Sequence, residues 1–466
     1  MRIEEEYKKS GYFWLPGQDD KKIPGVLSIQ DGGKIELEII GHFNEDINIF
    51  SDDNHIARII GYVEKDGLVT LDNCFYTNKK VVFGGLSKST ILAHEVLSGA
   101  EWKENEAITF NTLSFEVDCL NVWIGFNGIN VDSDWEQHTV QINYKRPEDI
   151  VFTLDNGMSL EICFAYATPS LPITKEAKIT QRAYFRLVST ELRDLHEFKT
   201  IAYKITNLMC FAIDEIVTLK NVSATSSEIV RNAESEHAYP VTIKIYYQSI
   251  PYAEKEPNKN WHDILFSYVT IKSNAQQVFN NWINAYEYLS PAFNLYFSTK
   301  AGAQKYLDSK FLALAQGLET YHRRTSDEKL MENDEFESLV STILESCPKE
   351  HAEWLQGRLM HGNEINLGKR LKKIIEPFKE HLGSSKERNK LLRQIVNTRN
   401  YLTHYNEDLK HETAKGRDLW LLCLKMEVIF NLHFLNIIGF TADEIEEVIK
   451  HNYSLKRKLQ HITQNN

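Results

Sequence analysis

The chain has 466 residues, which is enough for two or three domains with substantial cores, and its 42% hydrophobic and 25% charged residues are typical of a folded, water-soluble protein. Its net charge of −12 disfavours nucleic-acid binding by the chain as a whole, and the N-terminus lacks the apolar stretch of a secretory signal. Six cysteines without a C-x-x-C pair argue against a zinc site or a disulfide framework, so we expect a cytoplasmic protein with no metal and no cofactor.

Residues 1–270 have the pattern of a β-rich region, because short alternating or β-branched runs are separated by Gly, Asn and Asp turns. The runs are VLSIQ, KIELEII, HIARIIGYV, LVTLDNCF, DIVFTL, MSLEICFAYA, VTIKIYYQS and LFSYVTI. DGG at 31–33 and DNG at 155–157 are typical of hairpin turns. One helix is predicted at 191–212. We therefore predict one or two β-sandwich-like units with an inserted helix.

Residues 271–466 have the pattern of an all-α region, because Gly and Pro become rarer and apolar residues recur at intervals of three and four. Helices are predicted at 275–288, 291–300, 303–324, 328–346, 350–360, 364–381, 385–406, 413–438 and 441–461. Ser384 and Glu387 have the spacing of a capping box at the start of one of them. The fold class is thus α+β, with a β-rich half followed by a helical bundle.

The apolar segment 419–440 has the length of a membrane span. Its middle, however, carries polar and charged residues that are costly in hydrocarbon. They are Lys425, Glu427, Asn431, His433 and Asn436. We therefore expect a central bundle helix and no contact with a membrane.

The helix predicted at 385–406 carries an anomaly in its apolar pattern. One stripe of residues should be buried, and it consists of Leu391, Leu392, Ile395, Val396 and Leu402. Arg399 falls in the middle of this stripe on an ideal helix, where an unpaired guanidinium is costly. Asn400 and His404 fall next to each other at the edge of the stripe.

Arg399, Asn400 and His404 suit the cleavage of RNA. RNA carries its own nucleophile, the 2′-hydroxyl, so the protein must supply a proton acceptor and donor and positive charge near the developing phosphorane, without a metal. The imidazole of His404 could accept and donate the proton. The forked guanidinium of Arg399 could supply the positive charge. Asn400 could hold the imidazole or bind a phosphate oxygen. The alternative is an arginine paired with a neighbouring glutamate and a solvated histidine.

Arg399 and His404 lie about 140° apart around an ideal helix, so one straight helix would not direct both side chains at one phosphate. Two copies of the helix facing each other across a two-fold axis would form a shared cleft. We therefore expect a homodimer through the helical domain.

Arg-Asn-x-x-x-His near the end of a bundle helix resembles the motif of the HEPN (higher eukaryotes and prokaryotes nucleotide-binding) ribonucleases. The whole chain resembles the ApeA-type abortive-infection, anti-phage proteins, which have a HEPN domain at the C-terminus. Besides residues 399–404, the resemblance rests on FLALAQGLETYHRR (311–324), ILAHEVLSG (91–99) and ITFNTLSFEVDCLNVWIGF (108–126).

The resemblance implies a metal-independent endoribonuclease that acts on cellular RNA such as tRNA. Residues 303–466 would form the dimeric HEPN-like domain, with Arg399, Asn400 and His404 as catalytic residues. Attack by the 2′-hydroxyl would leave a 2′,3′-cyclic phosphate or 3′-phosphate and a 5′-hydroxyl. Residues 1–270 would be a sensor or regulator, with a phage-derived protein as a possible trigger.

Two further groups could assist the motif. The helix predicted at 303–324 carries Glu319, His322 and Arg323, which could support the catalytic residues, and Glu319 could pair with Arg399. A polar surface face is the alternative for this group.

The second group is a basic segment, 369–399, with ten Lys and Arg against three Asp and Glu, whereas 301–466 carries 25 against 24. The candidate RNA contacts are Lys369, Arg370, Lys372, Lys373 and Arg393. A solvated helix face is the alternative for this segment.

Two other functions compete with the ribonuclease. One is a non-catalytic binding or scaffold protein, with a β-sandwich recognition module and a nucleotide-binding helical domain. The other is a metal-dependent hydrolase, which ranks last because the sequence has no ligand cluster.

Overall fold

The computed structural model describes residues 1–43, 54–80, 82, 84–171, 175–231, 239–405 and 407–463. The chain divides into two compact units, Met1–Ile283 and Asn284–Asn466. The first is rich in strands and the second is helical, so the predicted fold class is confirmed.

Most strands of the first unit belong to one antiparallel sheet. The strands are β1 (Tyr7–Trp14), β2 (Ile23–Ile29), β3 (Ile35–Ile40), β4 (His55–Val63), β5 (Gly67–Lys80), β6 (Lys88–Ser98), β7 (Thr109–Val117), β8 (Ile129–Asp134), β9 (Thr139–Tyr144), β10 (Ile150–Thr153), β11 (Ser159–Ala167), β12 (Thr180–Asp194), β13 (Leu219–Thr225), β14 (Val230–Arg231), β15 (Tyr239–Pro240) and β16 (Ile243–Tyr247). Among the described residues, β8 pairs with β9 and β14 with β15 in separate two-stranded ribbons.

Part of the large sheet closes into a barrel. The strand order is β10-β11-β12-β7-β13-β16-β6-β3-β2-β1-β4-β5, and β5 also pairs with β6. The six strands from β6 to β5 therefore form a ring. The sequence predicted one or two sandwich-like units; in the structure the curvature of a single sheet encloses the core in place of two separate sheets packed face to face.

Side-chain alternation fills this barrel. In β3, Ile35, Leu37 and Ile39 are buried while Glu36 and Glu38 point away from the core, as the period of two requires. The inward residues of the other strands join the same apolar cluster, which includes Phe13, Leu27, Ile59, Val69, Leu71, Ile91 and Val96.

Both hairpin turns that the sequence indicated are present. DGG connects β2 to β3, and DNG connects β10 to β11. Gly33 and Gly157 adopt φ values of +86° and +84°, which residues other than glycine rarely adopt. These two local predictions are confirmed.

The free edge of the large sheet lies at β10. Helix α4 (Ala275–Lys300) begins beside it, and two of its side chains hydrogen-bond this edge. Thr153 N–H donates to Gln276 Oε1 at 3.0 Å, Asn280 Nδ2 donates to Thr153 O at 3.0 Å, and Asp155 N–H donates to Asn280 Oδ1 at 3.0 Å. The edge is thus paired by side chains where a further strand is missing.

The first unit also contains helices, of which the sequence indicated one. The helices α1, α2 and α3 span Leu120–Ile124, Leu195–Ile213 and Tyr268–Ile271. The helix predicted at 191–212 is α2, which begins later because β12 continues to Asp194. The strand prediction for LFSYVTI is wrong, since Ser267 and Thr270 form a capping box that begins α3.

The second unit is built from helices, which differ from the predictions mainly at their ends. After α4 come α5 (Leu307–Thr325), α6 (Asn333–Glu345), α7 (Lys349–Leu359), α8 (Leu367–Ile375), a 3-10 helix (Glu376–His381), α9 (Ser385–His404), a 3-10 turn (Glu407–Leu409), α10 (Gly416–Ile437), α11 (Ala442–His451) and α12 (Tyr453–Thr463).

Three helix boundaries were predicted wrongly. The segments 275–288 and 291–300 form one helix that continues through Pro291. The segment 364–381 changes to a 3-10 helix at Glu376, because Pro377 cannot donate to the preceding turn. The segment 441–461 is divided into two helices. The predicted helix end at 406 lies outside the described residues.

Helix α10 is the core of the helical unit. It is apolar enough to cross a membrane by composition alone, with a mean hydropathy of 1.3, but 78% of the apolar window is buried within the protein. Two of its buried polar side chains contact polar groups of other helices: Lys310 Nζ lies 2.8 Å from a Glu427 carboxylate oxygen, and Tyr296 OH donates to Asn431 Oδ1 at 2.7 Å. Burial lowers the pKa of His433 to about 4, and its Nε2 lies 2.9 Å from Ile374 O.

Candidate functional site

The helix that carries the motif begins as the sequence predicted. Glu387 N–H donates to Ser384 Oγ at 3.3 Å, and Ser384 N–H donates to Glu387 Oε2 at 2.7 Å. This reciprocal capping box fixes the first turn of α9. The helix ends after His404, where Tyr405 adopts φ +51° and donates its N–H to Tyr401 O at 2.6 Å.

Arg399 lies beside the buried face of α9 and not in its middle. The fully buried side chains of the helix are Leu391, Ile395 and Thr398, whereas the Arg399 side chain is 35% exposed. Thr398 can be buried without a free hydroxyl, because its Oγ1 accepts the Ala414 N–H at 3.1 Å. On an ideal helix this shifts the buried face by roughly 50° away from Arg399, so the expectation that Arg399 would be buried is wrong.

Within the part of the chain that the structure describes, two polar side chains contact the guanidinium of Arg399. Its Nη1 donates to Asn400 Oδ1 at 3.2 Å, and its Nη2 lies 3.9 Å from Glu319 Oε2. The amide oxygen of Asn400 therefore orients the guanidinium of Arg399. It does not hold the imidazole of His404, which the sequence analysis gave as one alternative. The pairing of Glu319 with Arg399, which the sequence left as one alternative, is present as a long ion pair.

Glu319 is shared between two arginines. Arg323 donates to Glu319 Oε1 from Nε at 3.2 Å and from Nη2 at 3.1 Å, and its Nη1 donates to Glu364 Oε2 at 2.5 Å. The hydrogen bond from Arg323 lowers the pKa of Glu364, which stays ionised. Because Arg323 already engages Glu319, the charge of Arg399 is only partly neutralised.

His322 and Arg370 form a buried pair behind this cluster. Arg370 Nη1 lies 3.3 Å from His322 Nδ1, and its Nε donates to Ile365 O at 2.9 Å. Burial and the positive charge of Arg370 lower the pKa of His322. His322 is thus a neutral acceptor that positions Arg370, and Glu364 Oε2 lies 3.4 Å from the same guanidinium.

Arg370 does not fit its predicted role as an RNA contact. Its side chain is 4% exposed and its guanidinium is engaged by protein groups, so it is not available to a phosphate. The other basic candidates, Lys369, Lys372, Lys373 and Arg393, are exposed. Lys373 pairs with Glu328 at 3.0 Å, a solvent-exposed contact that is easily exchanged.

The structure brings together some of the predicted residues and leaves one apart. Arg399, Asn400, Glu319 and Arg323 are joined by the contacts above. His404 is exposed on the last turn of α9, and among the described residues it makes no hydrogen bond or ion pair with Arg399. One copy of the helix thus presents the arginine and the histidine to water separately.

Glu364 is the residue that the sequence analysis missed. It lies in the turn before α8 and contacts Arg323, Arg370 and His361, the last at 3.4 Å. No periodic pattern marks a carboxylate in such a turn. Only the excess of arginines over acidic residues on the neighbouring helices indicated that an additional carboxylate was needed.

Two family models match the chain. The model of ApeA N-terminal domain 1 matches residues 8–282, which is more than half of the chain, and the model of the Apea-like HEPN domain matches residues 312–444. The second match contains Arg399, Asn400 and His404. No curated protein and no solved structure matches the chain significantly.

The order of the two matches is the one that the resemblance of the sequence implied. An Apea-like HEPN domain supports a nuclease of anti-phage defence. This agrees with the class of protein that the sequence analysis predicted. The β-rich unit corresponds to the N-terminal model and the helical unit contains the HEPN model. The chain therefore belongs to the ApeA family, with ApeA N-terminal domain 1 followed by an Apea-like HEPN domain.

Proposed function

We propose that this protein is a metal-independent endoribonuclease of the HEPN type, with Arg399, Asn400 and His404 as catalytic residues. The observation that carries the proposal is the incompletely neutralised guanidinium of Arg399, whose side chain is 35% exposed. Three arginines, at 323, 370 and 399, share two carboxylates, at 319 and 364, so the cluster has a net charge of +1. A phosphate is the natural partner of such a cluster.

The proposed chemistry assigns a separate task to each side chain. The imidazole of His404 takes the proton of the 2′-hydroxyl, whose oxygen forms a bond to phosphorus. Arg399, held by Asn400, stabilises the negative charge of the phosphorane. The bond to the 5′-oxygen then breaks, and a protonated imidazole supplies the proton of the leaving group. The products are a 2′,3′-cyclic phosphate and a 5′-hydroxyl.

The proposed active site needs two copies of the chain. His404 and Arg399 lie about 140° apart around α9, and both side chains reach solvent. A two-fold pair of helices would put the arginine of one copy and the histidine of the other in one cleft, with two imidazoles available as base and acid. The homodimer forms through the HEPN-like domain in this proposal.

The proposed substrate is cellular RNA, in particular tRNA, and the proposed location is the cytoplasm. Lys369, Lys372, Lys373 and Arg393 are exposed and would contact phosphates along the RNA. The β-rich region, residues 1–270, would keep the nuclease at a low basal activity that a phage-derived protein raises, because an unrestrained ribonuclease harms the cell that makes it.

Cleavage of purified tRNA in EDTA tests this proposal. We expect the full-length protein to cut and to leave 2′,3′-cyclic phosphate and 5′-hydroxyl ends, and the His404→Ala variant to lose this activity. His411→Ala is the matched control, since His411 is an exposed histidine shortly after the helix. Binding of tRNA without cleavage would favour the scaffold function, and loss of cleavage in EDTA would favour a metal-dependent enzyme.

A further inference from the structure

The β-rich unit contains a cavity of about 590 Å³ at a fork in its sheet. Strand β6 changes its partner along one edge. Its first part, which ends at Ala93 opposite Ile35, pairs with β3. Its last part, which begins at Glu95 opposite Tyr247, pairs with β16. His94 lies between the two partners. Helix α2 forms the facing wall. Concave cavities of this size are the usual sites of small-molecule ligands.

A close backbone approach shapes one side of the cavity. At Gly33 a Cβ atom would lie 2.1 Å from Tyr247 O, which no side chain allows. The β2–β3 turn can therefore reach β16 only because this position is glycine. This wall of the cavity is therefore formed by closely packed backbone and not by loosely packed loops.

The walls are mostly apolar. Ile35, Phe75, Leu92 and Leu219 line the cavity from several strands. The ring of Phe75 lies edge-on to that of His94, with 5.9 Å between the ring centroids. These flat and branched surfaces suit the body of an apolar or aromatic ligand.

The charged groups of the cavity are predominantly basic. Lys34 and Lys199 line it, against Glu95 as its acidic residue, and His94 and His196 add two imidazoles. This composition contrasts with residues 1–300, which carry 28 Lys and Arg against 41 Asp and Glu. The basic groups are thus concentrated at one concave place in an acidic region.

Lys199 is held in a defined position. Its ammonium pairs with the Glu95 carboxylate and lies 4.8 Å from the centre of the Tyr247 ring. Only 19% of the Lys199 side chain and 17% of the Glu95 side chain are exposed. Glu95 neutralises part of this charge, so the pair offers an anionic ligand an ordered ammonium N–H donor, and holding it in place costs less side-chain entropy than holding a free surface lysine.

A hydroxyl in the wall is left unsatisfied. Ser249 is 6% exposed and lines the cavity, and its Oγ has no hydrogen-bond partner within the described part of the chain. Buried hydroxyl groups are normally hydrogen-bonded, so such a group indicates a missing partner. A polar atom of a bound ligand would be that partner once the Ser249 side chain rotates its buried Oγ toward the cavity.

We propose that this cavity binds a small organic anion with a flat apolar body. The anionic group would lie near Lys199 and the two histidines, and the apolar body would contact Phe75 and Leu92. The inference does not depend on the ribonuclease activity, because it uses residues of the β-rich unit alone. It gives this unit a small-molecule ligand in addition to any protein that it recognises.

Two fluorescent probes test the proposal on the full-length protein. The first is 1-anilinonaphthalene-8-sulfonate, an aromatic anion, and the second is N-phenyl-1-naphthylamine, which has the same body without the charge. We expect the anion to bind the wild-type protein and Thr200→Trp, which fills the cavity from α2, to weaken both probes by about tenfold or more. Glu197→Trp is the matched control, since Glu197 is exposed on the same helix outside the cavity.

The charge of the site is tested with Lys199→Met. We expect this change to weaken the anionic probe by roughly five- to tenfold and the neutral probe by much less. Lys244→Met, at an exposed position of β16 outside the cavity, should leave both affinities unchanged.

Melting curves of all variants establish that they fold, and Leu92→Trp fills the cavity from the opposite wall if Thr200→Trp does not fold. Equal binding by the wild-type protein and the folded filled variant would overturn the site. Equal losses of the two probes in Lys199→Met would overturn the anionic class of ligand.

Discussion

Replacement of Arg399 by alanine separates a structural arginine from a catalytic one. A buried ion pair that loses its arginine leaves a charged carboxylate in the protein interior, at a cost of about 3–5 kcal/mol. In this structure the carboxylate partner of Arg399 is Glu319, which also accepts two hydrogen bonds from Arg323 at 3.2 and 3.1 Å. The substitution therefore does not leave Glu319 without a partner.

The expected change in stability follows from these contacts. Arg399 and Glu319 are 3.9 Å apart, with side chains 35% and 20% exposed, so water screens their attraction. Pairs of this kind contribute about 0–1 kcal/mol. We expect Arg399→Ala to lower the free energy of unfolding by no more than about 1 kcal/mol, measured by urea denaturation.

The same variant should lose most of its activity. Loss of a group that stabilises charge in the transition state lowers the rate by about 10²-fold or more, as measured by single-turnover cleavage of end-labelled tRNA. Arg399→Lys should restore only part of the rate, because an ammonium cannot reproduce the guanidinium fork. Arg417→Ala is the matched control, since Arg417 is an exposed arginine on α10 outside the proposed RNA contacts.

Two results would refute this reasoning. A folded Arg399→Ala protein with wild-type cleavage would remove Arg399 from the mechanism. A loss of about 3 kcal/mol or more of stability would show that the arginine is a buried structural partner.

The remaining predictions concern the RNA surface, the assembly and the core. Replacing Lys369, Lys372 and Lys373 by alanine should reduce the log–log salt slope of RNA binding by up to about one per lysine without abolishing cleavage; an unchanged slope would mean a solvated helix face. Active protein should sediment as a dimer, and an active monomer at assay concentration would contradict the shared cleft. His433, with a folded-state pKa of about 4 against 6.5 when unfolded, resists protonation, so its stabilisation is present above pH 6.5 and is lost as the pH falls toward 4. Between pH 7 and 5, urea denaturation of the wild-type protein should lose about 2 kcal/mol more than that of His433→Gln; equal losses would contradict the shifted pKa.

Local signals in the sequence predicted local structure well. The capping box of Ser384 and Glu387 and the DGG and DNG turns depend on neighbouring residues alone, and the structure contains all of them. The strand prediction for LFSYVTI was wrong because a local signal for a helix was overlooked. The β-branched and aromatic residues of this segment favour a strand, but the Ser267–Thr270 capping box begins a short helix whose Tyr268 and Ile271 side chains are buried.

Contacts between residues that are far apart in the chain could not be predicted from local sequence patterns. The exposure of Arg399 depends on Thr398, a polar residue that was not counted in the apolar stripe and can be buried because it accepts the Ala414 N–H. The closure of the barrel depends on β6 pairing with β3, β5 and β16, a set of partners that no pattern within β6 specifies. The burial of Arg370 likewise requires Ile365 O and His322 as partners from outside its helix.

The side chains of Gln276 and Asn280 have a consequence for the behaviour of the protein at high concentration. An unpaired strand edge is a template on which other chains can add strands and start aggregates. In the ring, each barrel strand has a neighbour on both sides, so β10 is the exposed end of the large sheet within the described residues. Because β10 has only four residues and Gln276 and Asn280 occupy the N–H and C=O of Thr153 at its end, a second molecule finds little backbone to pair with. The first turns of α4 thus guard this large antiparallel sheet against self-association.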